Sequence, residues 1–152
     1  MDANFINPFL SALTNVMPQL GFKSVARGKI FTKEQVVDSL GVTIQVAITS
    51  QPGGNVIFNM SEQTAKKLSS TMMMGMPVDN FDDVAQSAVG EMANMVISNA
   101  TTALNQGGFS IKIASPVIAL GAGTVKVNNA VYIGIEMIVD EVPVQLAIGL
   151  NA

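Results

Sequence analysis

Apolar residues near the start of the chain recur at helical spacing. Phe5, Phe9, Leu13, Val16 and Leu20 lie three or four positions apart, the period that places side chains on one face of a helix. Asn7-Pro8 fits a helix start or a first turn, where proline is tolerated. Pro18-Gln-Leu-Gly21 ends the pattern. The period then shortens. Residues 22–31, containing Lys23-Ser-Val-Ala-Arg27-Gly-Lys-Ile30-Phe, and residues 41–50, containing Val42-Thr-Ile-Gln-Val-Ala-Ile48, predict strands. Pro52-Gly53-Gly54 predicts a turn into a strand over Asn55–Met60. Ser61 suits the cap of a helix running from Glu62 to about Met74, with Glu62 at the positive end of the helix dipole.

Gly75-Met-Pro77 breaks that helix. Asn80–Asn105 is the longest helical stretch, stopped by Gly107-Gly108. Short strands follow: Phe109–Ala114, Pro116–Leu120, Thr124–Val127, Ala130–Val139 and Pro143–Gly149. Gly121-Ala-Gly123 and Asn128-Asn129 serve as turns between them. The order is helix, strands, two helices, strands. It predicts an α+β fold, a mainly antiparallel sheet with two long helices packed on it. Residues 1–152 read as a single domain. The two halves share a helix-then-strands order, as an ancient duplication would leave them.

Composition narrows the chemistry. Hydrophobic residues make up 49% of the chain and charged residues only 12%, which leaves neutral surface available to partners. No apolar run is long enough to span a membrane. The opening Met1-Asp2-Ala3-Asn4 lacks the basic region of a signal peptide. A cytoplasmic protein is the expectation. There is no His and no Cys, which excludes imidazole-based triads, cysteine nucleophiles and the usual zinc sites. Arg27 is the only arginine, and the net charge is −3. Both argue against a nucleic-acid groove or a bidentate phosphate clamp. Trp is absent and Tyr132 is the only tyrosine, so no stacking platform for bases is expected. Catalysis would have to run on carboxylates, amides, hydroxyls or lysines.

The long helix concentrates what remains. Ser87, Glu91 and Asn94, within Ser87-Ala-Val-Gly-Glu91-Met-Ala-Asn94, fall within an arc of roughly 60°. Ser98, Thr101 and Asn105 extend this stripe, while Ala85, Val89, Met92, Val96, Ala100 and Leu104 form the opposite, core side. A solvated face is the simplest explanation of such a stripe. Two details point elsewhere. Exposed helix faces usually carry Lys, Glu and Arg, whereas this one is mostly Ser, Thr and Asn, poorer helix formers. Gly90 also sits in mid-helix at a cost of about 1 kcal/mol against Ala. A small residue beside Glu91 would let another backbone approach, as on a face shaped for docking.

These residues carry a resemblance. Ser87-x3-Glu91-x2-Asn94, followed by Pro116 at the start of a strand, is similar to the signature of the CheC/CheX/FliY chemotaxis phosphatase family. Ser70-Thr-Met-Met-Met-Gly75-Met-Pro77 resembles that family's helix end and loop before the signature helix. Asn4-Phe-Ile-Asn-Pro-Phe9 resembles the CheX branch. Members of the CheC type carry two signatures. Here the first helix has Asn15 and Pro18 where Glu and Asn would stand, which implies one intact site and again the CheX branch.

The resemblance implies a CheC-like fold and hydrolysis of the phospho-aspartate of a CheY-type response regulator. It implies that Asn94 orients the attacking water and that Glu91 pairs with the regulator's active-site Lys. Ser87 stands where relatives have Asp and is expected to bind the partner. The chain needs no cofactor or metal of its own on this reading, because the regulator brings Mg²⁺ and the phosphate-binding groups. The late strand Tyr132–Val139 reads as a sheet edge that could pair across a two-fold axis, and the resemblance also implies a homodimer built by sheet continuation. The alternative is a non-enzymatic CheC-like or flagellar-switch-type module that docks a response regulator. Such scaffolds lack the Glu/Asn pair. Met72, Met73, Met74 and Met76 read as core and helix-end packing rather than a docking surface. Gly121-Ala-Gly123 lacks the Lys and following helix of a phosphate loop.

Overall fold

The computed structural model describes residues 3–50 and 53–150. Helix α1 spans Ala3–Val16 and passes into a single 3₁₀ turn, Met17–Leu20. Strands β1 (Val25–Asp38), β2 (Val42–Ile48) and β3 (Gly54–Met60) follow. Helices α2 (Glu62–Met72) and α3 (Asp83–Gln106) come next, and β4 (Val117–Leu120), β5 (Thr124–Val139) and β6 (Val142–Leu150) complete the chain. The strands form one antiparallel sheet in the order β1-β5-β6-β3-β2-β4.

This order repeats between the two halves. Each half runs helix, then three strands, with α2 as the extra connecting helix. The third strands, β3 and β6, pair at the centre. The second strands, β2 and β5, flank them, and the first strands, β1 and β4, form the two edges. The sheet is thus two-fold symmetric in topology. Helices α1 and α3 are equivalent, and they pack on each other over one face.

Alternation along the strands sorts the two faces. Val42, Ile44, Val46 and Ile48 of β2, with Val56, Phe58 and Met60 of β3, join the helix-side core. So do the buried faces of α1 and α3, including Phe9, Leu13, Val89, Met92, Val96 and Leu104. The opposite face holds a smaller cluster of Val37, Ile57, Tyr132 and Ala147. There Asn59 Nδ2 donates to Asp38 O at 2.8 Å, and Leu40 N donates to Asn59 Oδ1 at 2.9 Å. Those bonds tie the end of β1 to the middle of the sheet. Burial, together with nearby Asp38, raises the Tyr132 phenol above its ordinary range.

Several element boundaries depart from expectation for identifiable reasons. Helix α1 starts at Ala3 and carries Pro8 inside it. Gly21, at φ 101°, closes the 3₁₀ turn and ends the pattern as expected. Ser61 caps α2 by accepting from Thr64 N at 3.1 Å. The cap of α3 is Asp82, which accepts from Ala85 N at 3.0 Å, so the helix starts later than Asn80. Phe109–Ala114 is not a strand. It makes only an isolated bridge, Ile48 with Ile113.

The segments Thr124–Val127 and Ala130–Val139 are one strand, and Asn128-Asn129 is not a turn between strands. Glu34 pairs with Val131 and Val36 with Lys126. Between these pairs β1 advances from 34 to 36 while β5 runs from 126 to 131, so the asparagines fall in a register shift. The continuous strand also overturns one expectation about assembly. Tyr132–Val139 lies between β1 and β6 and pairs with both, so it has no free edge on which to continue a sheet. The free edges belong to β1 and β4.

Candidate active site

Helix α3 sets its polar stripe beside β4. Val89, Met92, Ala93 and Val96 are buried, which fixes the roll of the helix and turns Ser87, Glu91 and Asn94 outward. Ser87 and Glu91 are exposed and Asn94 is half-buried. All three line one open groove of about 550 Å³. Its helix wall also includes Asp83, Gln86 and Gly90, and its strand wall is Ser115, Pro116 and Ile118. The structure thus brings together every site residue expected from the sequence, with Pro116 opposite the helix.

Four lining residues escaped the sequence reading: Asp83, Gln86, Ser115 and Ile118. A signal for the first two was present, because Asp83, Gln86, Gly90 and Asn94 follow one helical stripe at spacings of three and four. Gln86 is held in place by donating from Nε2 to Phe81 O at 2.9 Å. Ile118 explains Gly90 differently from expectation. A Cβ at Gly90 would meet Ile118 Cδ1 at 3.5 Å, an ordinary van der Waals contact with a side chain rather than with an approaching backbone.

Hydrogen bonding separates the site from the rest of the stripe. Thr101 Oγ1 donates to Ile97 O at 2.7 Å, and Thr102 Oγ1 donates to Ser98 O at 2.9 Å. Asn105 binds Ile111 through both its amide atoms. Of the lower stripe, the side chains of Thr101 and Asn105 are therefore engaged within the chain. Among the described residues, the side chains of Ser87, Glu91 and Asn94 have no hydrogen-bond or ion-pair partner. A carboxylate and a carboxamide one turn apart, open to the groove and unengaged, can accept a cation and orient a water. Among the described residues, no group of three or more acidic side chains could hold a metal.

The symmetry-equivalent groove lies beside α1 and has different chemistry. It is lined by Leu10, Ser11, Thr14, Arg27 and Met137. Asn15 is exposed and Pro18 lies in the 3₁₀ turn beyond the helix. Among the described residues, no carboxylate and amide stand together there. The methionines before α3 also depart from expectation. Met72 packs against the core, but Met74 is 97% exposed and Met76 61% exposed.

The antiparallel sheet of this order, with α1 and α3 packed on one face, is shared with CheC-like proteins. A CheC-like superfamily protein from Shewanella sp. PV-4 superposes with a TM-score of 0.87 at 22% identity, each chain covered completely (100% of both). The CheX of a CheX–CheY–BeF₃–Mg²⁺ complex from Borrelia burgdorferi superposes with a TM-score of 0.73 at 22% identity, over 97% of this chain and 98% of that one. The family model for chemotaxis phosphatase CheX matches residues 42–136, so the chain belongs to the CheX family. CheY-P phosphatase CheX from Thermotoga maritima is 27% identical over 121 residues, which cover 80% of this chain and 78% of that protein. No helix among the described residues is long and apolar enough to cross a membrane.

Proposed function

We propose that this protein hydrolyses the phospho-aspartate of a CheY-type response regulator in chemotaxis signalling. The observation that carries the reading is the free pair, Glu91 and Asn94, in an open groove of a CheX-family chain. The relative from Thermotoga maritima bears the name CheY-P phosphatase, and the Borrelia burgdorferi neighbour is a complex of CheX with CheY. Both support a regulator as the partner.

The chemistry fits the sparse equipment of the site. Hydrolysis of an acyl phosphate breaks the bond between phosphorus and the aspartate oxygen and forms one from phosphorus to water oxygen. The products are inorganic phosphate and the free aspartate. A carboxylate is a stable leaving group at neutral pH, since its pKa is near 4, so no general acid is needed. The proton lost by water passes to the phosphate and solvent. What remains is placing the water in line with the phosphorus, and phosphoryl transfer depends chiefly on positioning and electrostatics. In this reading the half-buried Asn94 amide orients the water, and Glu91 pairs with the regulator's active-site lysine and fixes the helix in register. Ser87, one turn earlier, contacts the docked partner. The regulator contributes Mg²⁺, and the chain brings no cofactor of its own.

A cytoplasmic location follows from that partnership. A homodimer built by sheet continuation also belongs to the proposal, with β1 or β4 supplying the edge. A purely docking role is disfavoured by the pair itself, because a scaffold has no use for an unengaged carboxylate and amide side by side in an open groove.

The test is to phosphorylate a purified regulator, add catalytic amounts of this protein and follow phosphate release. Accelerated loss of the phosphoryl group supports the reading, and an unchanged decay across candidate regulators contradicts it. Glu91→Gln is expected to raise KM about tenfold or more by removing one partner of an ion pair with the regulator, with a smaller effect on kcat.

A further inference from the structure

Charge is unevenly distributed along this chain. Between Lys67 and Lys112 there is no lysine or arginine, and the charged residues of that stretch are Asp79, Asp82, Asp83 and Glu91. Those four carboxylates stand against a whole-chain net charge of −3, which leaves the rest of the chain at +1. Helix α3 is 24 residues long and has only two charged side chains, Asp83 and Glu91. Both line the groove that holds Asn94, and no lysine or arginine stands in that lining. The fold itself does not demand this. The equivalent helix α1 carries no charged residue over its 14 positions, and its groove is lined by Arg27 instead.

Helix capping does not explain Asp83. The cap of α3 is Asp82, which accepts from Ala85 N at 3.0 Å. Asp83 is exposed. Among the described residues the one ion pair is Lys66 with Glu62, so neither groove carboxylate is neutralised there. An acidic residue in a first turn does favour the helix dipole, but that interaction asks for no particular direction around the helix. Asp83 has a definite one. The eleven residues from Asp83 to Asn94 make three turns and about 20°, so the two lie nearly on one line, with Asp83 about 12 Å along the axis from Glu91.

We propose that Asp83 is a specificity-determining residue of this groove. It pairs with a lysine or arginine on the rim of the regulator's phosphorylation pocket, roughly 12 Å from the lysine that Glu91 meets, and so selects regulators whose rim is basic. The proposal rests on the phosphatase reading above. Charge decides the occupant. Two unpaired carboxylates repel a free phosphate or a small acyl phosphate, so the groove fits a partner that surrounds its phosphoryl group with cations of its own. Exposed charges of this kind act on encounter: they steer association, and they lose force as salt shortens the screening length. The division of labour is then spatial. Glu91 and Asn94 align the reaction, and Asp83 governs which regulator arrives.

The test compares the full chain as wild type, Asp83→Asn and Asp83→Lys on one purified phosphorylated regulator. Phosphate release is measured at about 0.01 M and about 1 M ionic strength, where the screening length is about 30 Å and about 3 Å. Asp83→Asn is expected to lower kcat/KM roughly fivefold at low salt, with kcat within about twofold of wild type, and to match wild type at high salt. Asp83→Lys should lower kcat/KM further at low salt and recover as salt is added. A carboxylate that served only the helix dipole would move the melting temperature and leave the salt dependence of kcat/KM as in wild type, a result that overturns the proposal. Equal kcat/KM for Asp83→Asn and wild type at low salt also overturns it and leaves the phosphatase reading standing. A wild-type protein inactive on every candidate regulator overturns the phosphatase reading and the proposal together.

Discussion

Asn105 and Ile111 exchange two hydrogen bonds. Ile111 N donates to Asn105 Oδ1 at 2.6 Å, and Asn105 Nδ2 donates to Ile111 O at 3.2 Å. The last turn of α3 is thereby stitched to the chain that leads to Ser115 and Pro116, the far wall of the groove. Asn105 imitates a backbone partner for a segment that forms no strand of its own. Loss of both bonds in Asn105→Ala is expected to cost about 1–3 kcal/mol. At about 2–4 °C per kcal/mol for a chain of this size, thermal unfolding should show the loss clearly. KM for the regulator should rise with it as the strand wall loosens.

Asn105 also shows what the sequence could and could not convey. The helix stripe was legible because helical period alone orders it, and its chemistry stood out because Ser, Thr and Asn replaced the usual charges. Which members of the stripe form the site was not legible from period. Asn105 and Thr101 share the stripe of Glu91, yet their side chains are engaged within the chain. The partners of Asn105 lie beyond the helix, in a segment whose apolar pattern imitates a strand.

Strand boundaries were misread where tertiary pairing overrode local turn chemistry. Asn128-Asn129 has the composition of a hairpin turn, but β1 runs long enough to pair on both sides of it, and the ladder absorbs the pair in a register shift. The real hairpin is Asp140-Glu141, which carries no glycine at all.

That hairpin yields a stability prediction. Val139 pairs with Val142, and both turn residues have positive φ, 46° at Asp140 and 70° at Glu141. Asp140 is used, since its carboxylate accepts from Lys23 N and Ser24 N at 2.8 Å each. Glu141 carries the conformation without glycine's freedom. Glu141→Gly removes a left-handed penalty of about 1–2 kcal/mol and adds a glycine entropy cost of about 0.5–1 kcal/mol. A net gain of about 0.5–1 kcal/mol is expected in denaturant unfolding, with phosphatase activity unchanged. A loss of stability would contradict the assigned turn geometry.

Gly90 separates a helix effect from a docking effect. A methyl group there would touch Ile118 Cδ1 at an ordinary 3.5 Å, across the groove wall. Gly90→Ala should therefore stabilise the protein by about 0.5–1 kcal/mol through helix propensity, with kcat and KM within about twofold of wild type. A well-folded Gly90→Ala protein with a sharply raised KM would mean that the docked partner needs the glycine itself.

We propose that Asn94 positions the attacking water while the rest of the helix face binds. The most direct measurement pairs two readouts on Asn94→Ala: dephosphorylation of the regulator at saturating concentration, and binding of the regulator activated with beryllofluoride. Loss of one general positioning group at a reaction of this kind is expected to lower kcat by about 10²-fold or more, with binding within about threefold of wild type. Undiminished kcat in a folded Asn94→Ala protein would rule out a water-positioning role for Asn94.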